Sequence, residues 1–271
     1  MRVHHLDCGT LCPRGGRALL GEGSEFVCHC LLIELPHSLV LVETGLGTSD
    51  IEEPRRLGML FRGLVRPRLA LEQTALTHVC ALGFSPSDVR DVLVTHLDLD
   101  HAGGLSDFPE ARLHLLRDEW QAAQKPSPRE RSRYRAVQWE HAPEVHEYEA
   151  EGEAFHGFAR ARELDGLPPE IQLVSLPGHS RGHAGVAIDE GEGTLLHCGD
   201  AYFHHAEVSL DTHARPARGL DLFQSVVAHD NAVRRETQAR LREAVRASDG
   251  RLRTTSAHDR SELAREHGAQ A

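Results

Sequence analysis

Four side chains able to bind a metal ion fall within six residues in the stretch THLDLDH: His96, Asp98, Asp100 and His101. Three more follow further along. His179 stands in PGHSRGH, Asp200 in CGD and His258 in AHD. Imidazole and carboxylate together suit zinc, iron or manganese. Seven such groups suit two ions rather than one, and two ions can share a bridging hydroxide and clamp both sides of a substrate. A single histidine carries little weight in a chain with 20 of them. The signal is the dense cluster followed by three further ligands in order.

Position strengthens it. Each group lies just past an apolar run that reads as a buried strand. Residues 92–95 lead into His96, residues 171–176 into Pro177-Gly178-His179, residues 194–198 into Gly199-Asp200, and residues 251–255 into Ala257-His258-Asp259. Functional residues concentrate on loops held by a rigid sheet. Further strands are expected at 26–35, 39–42, 112–116 and 184–188, with DEGEG at 189–193 as a hairpin turn. Helical patterns lie between them. One spans 71–82 and stops at Gly83. A short one opens at Ser85-Pro86. A third starts from the capping pair Asp230/Asn231 and presents a sparse apolar stripe of Val233, Leu241 and Val245. The mixture predicts an α/β layered domain, read as one domain over 1–271. Residues 117–169 differ, being rich in charge and proline, with Trp120, Tyr134, Trp139 and Tyr148 spaced through them. They read as a helical insertion, either a substrate lid or a plain peripheral subdomain.

Composition narrows the function. Net charge is −11, which argues against a general nucleic-acid binder, because phosphate affinity needs clustered positive charge. The only lysine is Lys125, which argues against lysine-nucleophile chemistry. Six cysteines in a chain of 271 residues do not form a disulfide framework. Cys28 and Cys30 share one face of a strand and read as buried apolar packing. The start MRVHHLDCG lacks a signal peptide's apolar core, and no run approaches the roughly 20 apolar residues of a membrane span. A cytoplasmic protein without membrane contact is expected, acting on a small molecule. Leu57, Met59, Leu60, Phe61 and Leu64, interleaved with arginines over 55–68, read as a lid or a homodimer contact.

The order THLDLDHAGG, PGHSRGH, CGD, AHD resembles the metallo-β-lactamase superfamily, and the resemblance spans nearly the whole chain. VETGLG at 42–47 is similar to that family's acidic-Thr-Gly turn, with Glu43 where Asp is usual. The resemblance implies an αββα four-layer sandwich with metals at one edge between two sheets. It assigns His96, Asp98 and His179 to a first metal, Asp100, His101 and His258 to a second, and Asp200 to the bridge between them. His183 matches a histidine that supports the loop. The insertion, the PGHSRGH form and an Asp-x-Tyr at 200–202 look most like the lactonase-type branch, which opens acyl-homoserine lactones. That branch places a substrate-contacting tyrosine three residues past the bridging Asp. Here Phe203 holds that place and Tyr202 precedes it.

Asp98 is the second departure, because His is the commoner residue there. It reads as a ligand, as a hydrogen-bonding group behind the ligands, or as the mark of a weak first site that leaves one metal. As a ligand it would add negative charge, raise the pKa of bound water, and shift preference from zinc toward manganese or iron. The leading expectation is hydrolysis of an ester, lactone or thioester by hydroxide shared between two divalent ions. Asp100 would carry the proton to the leaving group, and Tyr202 would donate to the developing oxyanion. Three alternatives use the same residues: a metal-dependent phosphodiesterase or nuclease, a non-hydrolytic di-iron redox or metal-binding protein, and a serine hydrolase. The last rests on Gly178-His179-Ser180-Arg181-Gly182, which matches a nucleophile elbow. An elbow turns from strand into helix, whereas HAGVAID reads as a strand. His204, His205 and His213 read as exposed loop histidines.

Overall fold

Eleven strands among the described residues form two sheets. The first contains β1 (Arg2–Leu11), β2 (Phe26–Glu34), β3 (Leu39–Val42), β4 (Pro67–Arg68), β5 (Val89–Leu93), β6 (Arg112–Leu116) and β7 (Val145–Tyr148). Its order is β4-β1-β2-β3-β5-β6-β7. The β1–β2–β3 side is antiparallel, and β3, β5, β6 and β7 run parallel. The second contains β8 (Ile171–Ser175), β9 (Ala184–Asp189), β10 (Thr194–His197) and β11 (Leu252–Thr255), in the order β11-β10-β9-β8. The coordinates are a computed structural model that describes residues 1–16, 25–141, 144–151, 154–160, 163–210 and 215–270. His213 lies outside the described residues.

Strand parity sorts the core into three layers, since successive side chains point to opposite faces. Leu31, Ile33, Val40, Val42 and Leu93 of the first sheet meet Leu173, Val186, Ile188 and Leu195 of the second. Their neighbours Cys30, Leu32, Leu39 and Leu41 face outward. There they meet Ala75 and Val79 of α3 (Ala75–Ala81) and Ala122 of α5 (Arg117–Gln124). The short helices α1 (Thr48–Glu52), α2 (Gly58–Leu64) and α4 (Leu99–Ala102) belong to the loops of this half. On the far side of the second sheet, Val174, Ala187 and Leu196 pack against Leu241 and Ala244 of α7 (Asn231–Ala247). This is the αββα sandwich. Two further helices are α6 (Arg218–Val227), whose Leu220 and Phe223 join the outer core layer of the first half, and α8 (Arg260–Gln270), which lies against β1 and β2.

Local chemistry explains where the elements begin. Asp230 caps α7 by accepting from the amides of Ala232 and Val233, at 2.9 and 3.1 Å. Ser85 opens a single 3-10 turn over Pro86–Asp88 through a capping box. The segment 71–82 is not one helix. Thr74 accepts from Thr77 N and restarts the chain as α3 after a 3-10 turn over Leu71–Gln73.

One strand was not foreseen, and a further expectation fails. β1 carries buried His4, His5 and Thr10 and so hides from an apolar-run criterion. The His5 Nδ1 to His29 Nε2 bond of 2.8 Å and the His4–Glu34 pair satisfy the two imidazoles from β2, and Gln73 Nε2 donates to Thr10 Oγ1 at 3.0 Å. Nor is 117–169 a helical insertion. Among its described residues, α5 is followed by isolated 3-10 turns, and then β7 extends the first sheet. Tyr134 and Trp139 are buried in the outer core layer, so this part of the segment is fastened to the domain. On α2, Met59, Leu60 and Leu64 are exposed, while Phe61 packs inward. No helix among the described residues is long and apolar enough to cross a membrane.

Candidate metal centre

The ends of β5, β8, β10 and β11 converge at one edge of the sandwich and bring all seven expected ligands together. Their inward atoms form two sets of four. In the first, His96 Nε2 lies 3.4 Å from Asp98 Oδ2 and 3.9 Å from Asp200 Oδ2. His179 Nε2 lies 3.1 and 3.3 Å from the same two oxygens. In the second, His101 Nε2 lies 3.9 Å from Asp100 Oδ2 and 3.2 Å from Asp200 Oδ1. His258 Nε2 lies 3.6 and 3.0 Å from those oxygens. Asp200 therefore gives one oxygen to each set.

These spacings fit metal ions. Ligands about 2.0–2.2 Å from an ion in tetrahedral geometry stand about 3.3–3.6 Å apart, which is the middle of the observed range. Tautomers fit as well. The outer ring nitrogens of three histidines are tied: His96 Nδ1 to Thr95 Oγ1 at 2.9 Å, His101 Nδ1 to Glu43 Oε2 at 2.8 Å, and His258 Nδ1 to Val27 O at 2.7 Å. The Glu43 carboxylate and the Val27 carbonyl can only accept, which leaves the Nε2 lone pairs of His101 and His258 inward as ligating imidazoles require, and the Thr95 hydroxyl can accept from His96 Nδ1 in the same way. His96 Nε2, His101 Nε2 and Asp200 Oδ1 are buried with no hydrogen-bond partner. Buried polar atoms are ordinarily paired, so these three mark a site that binds something.

Electrostatics agree. Asp98, Asp100, Asp200 and Glu43 bring four carboxylates into one small volume, and such charges need cations. Burial opposes ionisation of Asp200, but the imidazoles of His258, His101 and His179 hold its carboxyl well below the usual range. Burial likewise opposes charge on His101, yet Asp200, Glu43 and Asp100 hold that imidazole well above its ordinary value. His179 goes the other way. Burial, then the Arg133 guanidinium, push it down to about 4.

Supporting residues fix the ligands. Glu43 sits in the left-handed region at φ 63°, a strained setting for a non-glycine residue. There its Oε1 accepts from Thr95 N at 2.5 Å while Oε2 orients His101. The Glu43 side chain thus reaches both ends of the 95–101 loop. His183 is the loop support expected of it. Its Nδ1 donates to Leu176 O, and its Nε2 accepts from Asp200 N at 3.0 Å. Gly199 has φ 51°, and a Cβ there would stand 2.5 Å from Thr95 Oγ1, so only glycine lets β10 turn to present Asp200.

Glu119 and Arg133 escaped the sequence reading. Buried Glu119 of α5 accepts from Leu97 N at 3.0 Å, Ser180 Oγ at 2.6 Å and Gly182 N at 3.2 Å, joining the two ligand loops. Arg133 Nε lies 3.3 Å from Asp98 Oδ1. Both residue types usually face solvent, and neither stands near a ligand in sequence. No local signal could have found them.

Other candidates do not join the site. Tyr202 was expected to reach the oxyanion, but it is fully buried in the layer beneath α7. Its hydroxyl donates to Glu262 at 3.0 Å, which commits it to the core. Phe203 is the aromatic beside the ligands, with its ring 4.8 Å from that of His258 and 6.1 Å from that of His179. Ser180 is buried and donates to Glu119, and the chain after it enters β9 rather than a helix, so the serine-hydrolase reading falls. His204, His205 and Asp259 form a third cluster. Asp259 there accepts from the amides of His205 and Ser261 at 2.6 and 2.8 Å, as the cap of α8. Cys28 and Cys30 are buried free thiols, and no candidate metal group among the described residues includes them.

Comparison with known proteins agrees with this geometry. Residues 23–250 match the model of the metallo-beta-lactamase superfamily. A probable metallo-hydrolase of Mycobacterium tuberculosis is 42% identical over 260 residues, covering 96% of this chain and 80% of that protein. An N-acyl homoserine lactonase of Bacillus cereus is 28% identical over 178 residues, covering 64% of this chain and 63% of the lactonase. Among solved structures, an N-acyl homoserine lactone hydrolase with N-hexanoyl-L-homoserine at its catalytic metal centre superposes with TM-score 0.69. That pair is 20% identical, covering 97% of this chain and 95% of the other. Strand order, ligand order and sequence similarity thus converge: the chain belongs to the metallo-beta-lactamase superfamily and is a metal-dependent hydrolase of that fold.

Proposed function

We propose that this hydrolase uses two divalent ions to open a carboxylic ester, with a lactone of the N-acyl amino-lactone type as the leading substrate class. The observation that carries the reading is the pair of four-atom sets sharing Asp200, one oxygen to each. When bound, two such ions acidify water and polarise a carbonyl oxygen. His96, Asp98 and His179 would hold the first ion, Asp100, His101 and His258 the second, and Asp200 would join them.

The remaining work falls to the chain's own groups. Asp100 stands at the second set, and its carboxylate is placed to take the proton from water and return it to the leaving alkoxide. Phe203, Phe26 and Phe223 form an aromatic wall beside His258, with Phe203 5.6 Å from Phe26 and 5.7 Å from Phe223. Such a wall favours an apolar acyl group and excludes water from the reacting carbonyl. The lactonase relatives support the same substrate class. With Tyr202 committed to Glu262, its hydroxyl does not serve the oxyanion, and the ions that these residues would hold would supply that stabilisation. Asp98 shifts the first site toward manganese or iron.

The test is a panel of N-acyl lactones, aryl esters, thioesters and phosphodiesters, assayed on metal-free protein reconstituted with zinc, manganese or iron. Lactone or ester turnover that needs added metal is expected. Phosphodiester turnover with no lactone or ester turnover would overturn the carbonyl reading.

A further inference from the structure

Asp98 divides its two oxygens between different tasks. Oδ2 faces the first set, 3.1 Å from His179 Nε2 and 3.4 Å from His96 Nε2. Oδ1 is turned away, 3.3 Å from Arg133 Nε, an ion pair in which this oxygen has no hydrogen-bond partner among the described residues. The guanidinium is itself fixed. Nη1 donates to His179 O at 3.1 Å and Nη2 to Val227 O at 2.5 Å. The Arg133 side chain is only 12% exposed. One arginine therefore touches two of the four groups in the first set, a side chain of one and the backbone of the other. Its turn is anchored to the same loop. Glu130, three residues earlier, accepts from Arg181 Nε at 2.8 Å and Nη2 at 2.5 Å. Residues 130–133 thus clamp the His179 loop at two points.

Charge gives this clamp a purpose. A carboxylate in place of a neutral imidazole adds one negative charge to the first set, and a fixed guanidinium removes it. We propose that Arg133 is a positioning residue whose guanidinium holds Asp98 with Oδ2 inward, so that the Asp98–Arg133 pair replaces a neutral histidine ligand in both geometry and net charge. The proposal rests on the reading of these residues as a metal centre. Ligating carboxylates are kept oriented by partners of their own, and here the partner is the guanidinium charge. Arg suits this place better than Lys, because its planar fork can serve a carboxylate and two carbonyls at once. Freed of Arg133, Asp98 would be a partly buried carboxylate with no cation beside its outer oxygen, able to rotate out of the set.

The experiment is a double-mutant cycle read by metal binding. Metal-free full-length protein and the variants R133M, R133K, D98H and D98H/R133M are titrated with Zn²⁺ and Mn²⁺ against a chelator of known affinity. Circular dichroism and thermal unfolding of each metal-free variant identify those that fold. R133M should weaken one of the two ions by about tenfold to a hundredfold and leave the other unchanged. R133K, which keeps the charge without the fork, should recover part of that loss. With His at 98, removing Arg133 should cost much less, because only its bonds to His179 O and Val227 O are then lost. Equal losses in both backgrounds would mean that Arg133 only supports the loop, and would overturn the proposal. So would unchanged or tighter binding in R133M. If R133M does not fold, R133K binding both ions as the parent does would overturn it, and selective weakening of one ion would support it. A parent protein that binds no ion sinks the reading of the centre itself, whereas two ions indifferent to Arg133 sink only this inference.

Discussion

Replacing Glu119 by alanine should damage a protein whose ligands are all still present. Its carboxylate takes bonds from Leu97 N, Ser180 Oγ and Gly182 N with no solvent access. The Ser180 hydroxyl can rotate toward another acceptor, but the two amides cannot. Stranded buried donors cost about 1–3 kcal/mol each, so the two amides cost about 2–6 kcal/mol. That is a large share of the roughly 5–15 kcal/mol that holds a domain together. In a chain of this size each kcal/mol moves Tm by about 2–4 °C, so Tm should fall by about 4–24 °C. No nearby backbone can close the gap, since Gly182 already packs so tightly that a Cβ would stand 2.0 Å from Glu119 N. Glu119→Gln keeps one acceptor oxygen and should lose about half as much. Denaturant or thermal unfolding of metal-free protein separates this effect from metal stabilisation. A loss below about 1 kcal/mol in Glu119→Ala, the lower limit for one stranded donor, would refute the claim that this carboxylate joins the two loops.

Three further outcomes follow from the same contacts. Tyr202→Phe should leave kcat and KM for any substrate within twofold and lower Tm, because the hydroxyl serves Glu262; a tenfold fall in kcat with unchanged Tm would restore Tyr202 to the reaction. Burial, then Asp259, push the Glu262 carboxyl up to about 8. The folded state therefore holds a proton that the unfolded state releases, so this stability is full below about pH 4.5 and is lost as pH rises through 8, at up to about 1.4 kcal/mol per unit. Metal-free Glu262→Gln should show a flatter Tm profile from pH 6 to 9 than the parent, and an unchanged slope would contradict the assignment. Glu43→Gln keeps an acceptor for either Thr95 N or His101 Nδ1 but not both, and should weaken metal binding by about tenfold, measured by chelator competition.

The ligands were legible because chemistry and topology repeat one pattern. Four strands end in His or Asp, and both the apolar runs and the residues that follow them are local signals. The strands at 26–35 and 39–42 were equally plain as apolar runs. What sequence hid was of two kinds. β1 fails an apolar-run test because its inward positions include His5 and Thr10, whose partners lie on β2 and elsewhere in the fold. Glu119 and Arg133 are long polar side chains in a segment rich in charge, where solvent exposure is the ordinary fate. Only the packing of 117–138 against the ligand loops turns them inward. Tyr202 failed for a related reason. Its position after Asp200 suggested the site, but Phe203 takes the place facing His258, and the preceding residue is turned toward Glu262.

The central claim is that one carboxylate joins two ions. Elemental analysis of natively purified protein, paired with stepwise metal titration of the metal-free form while hydrolysis is followed, tests it most directly. Two ions per chain are expected, with activity tracking the second and Asp200→Ala losing both metal and turnover. Full activity at fewer than about one ion per chain, or full turnover by metal-free Asp200→Ala, would contradict it.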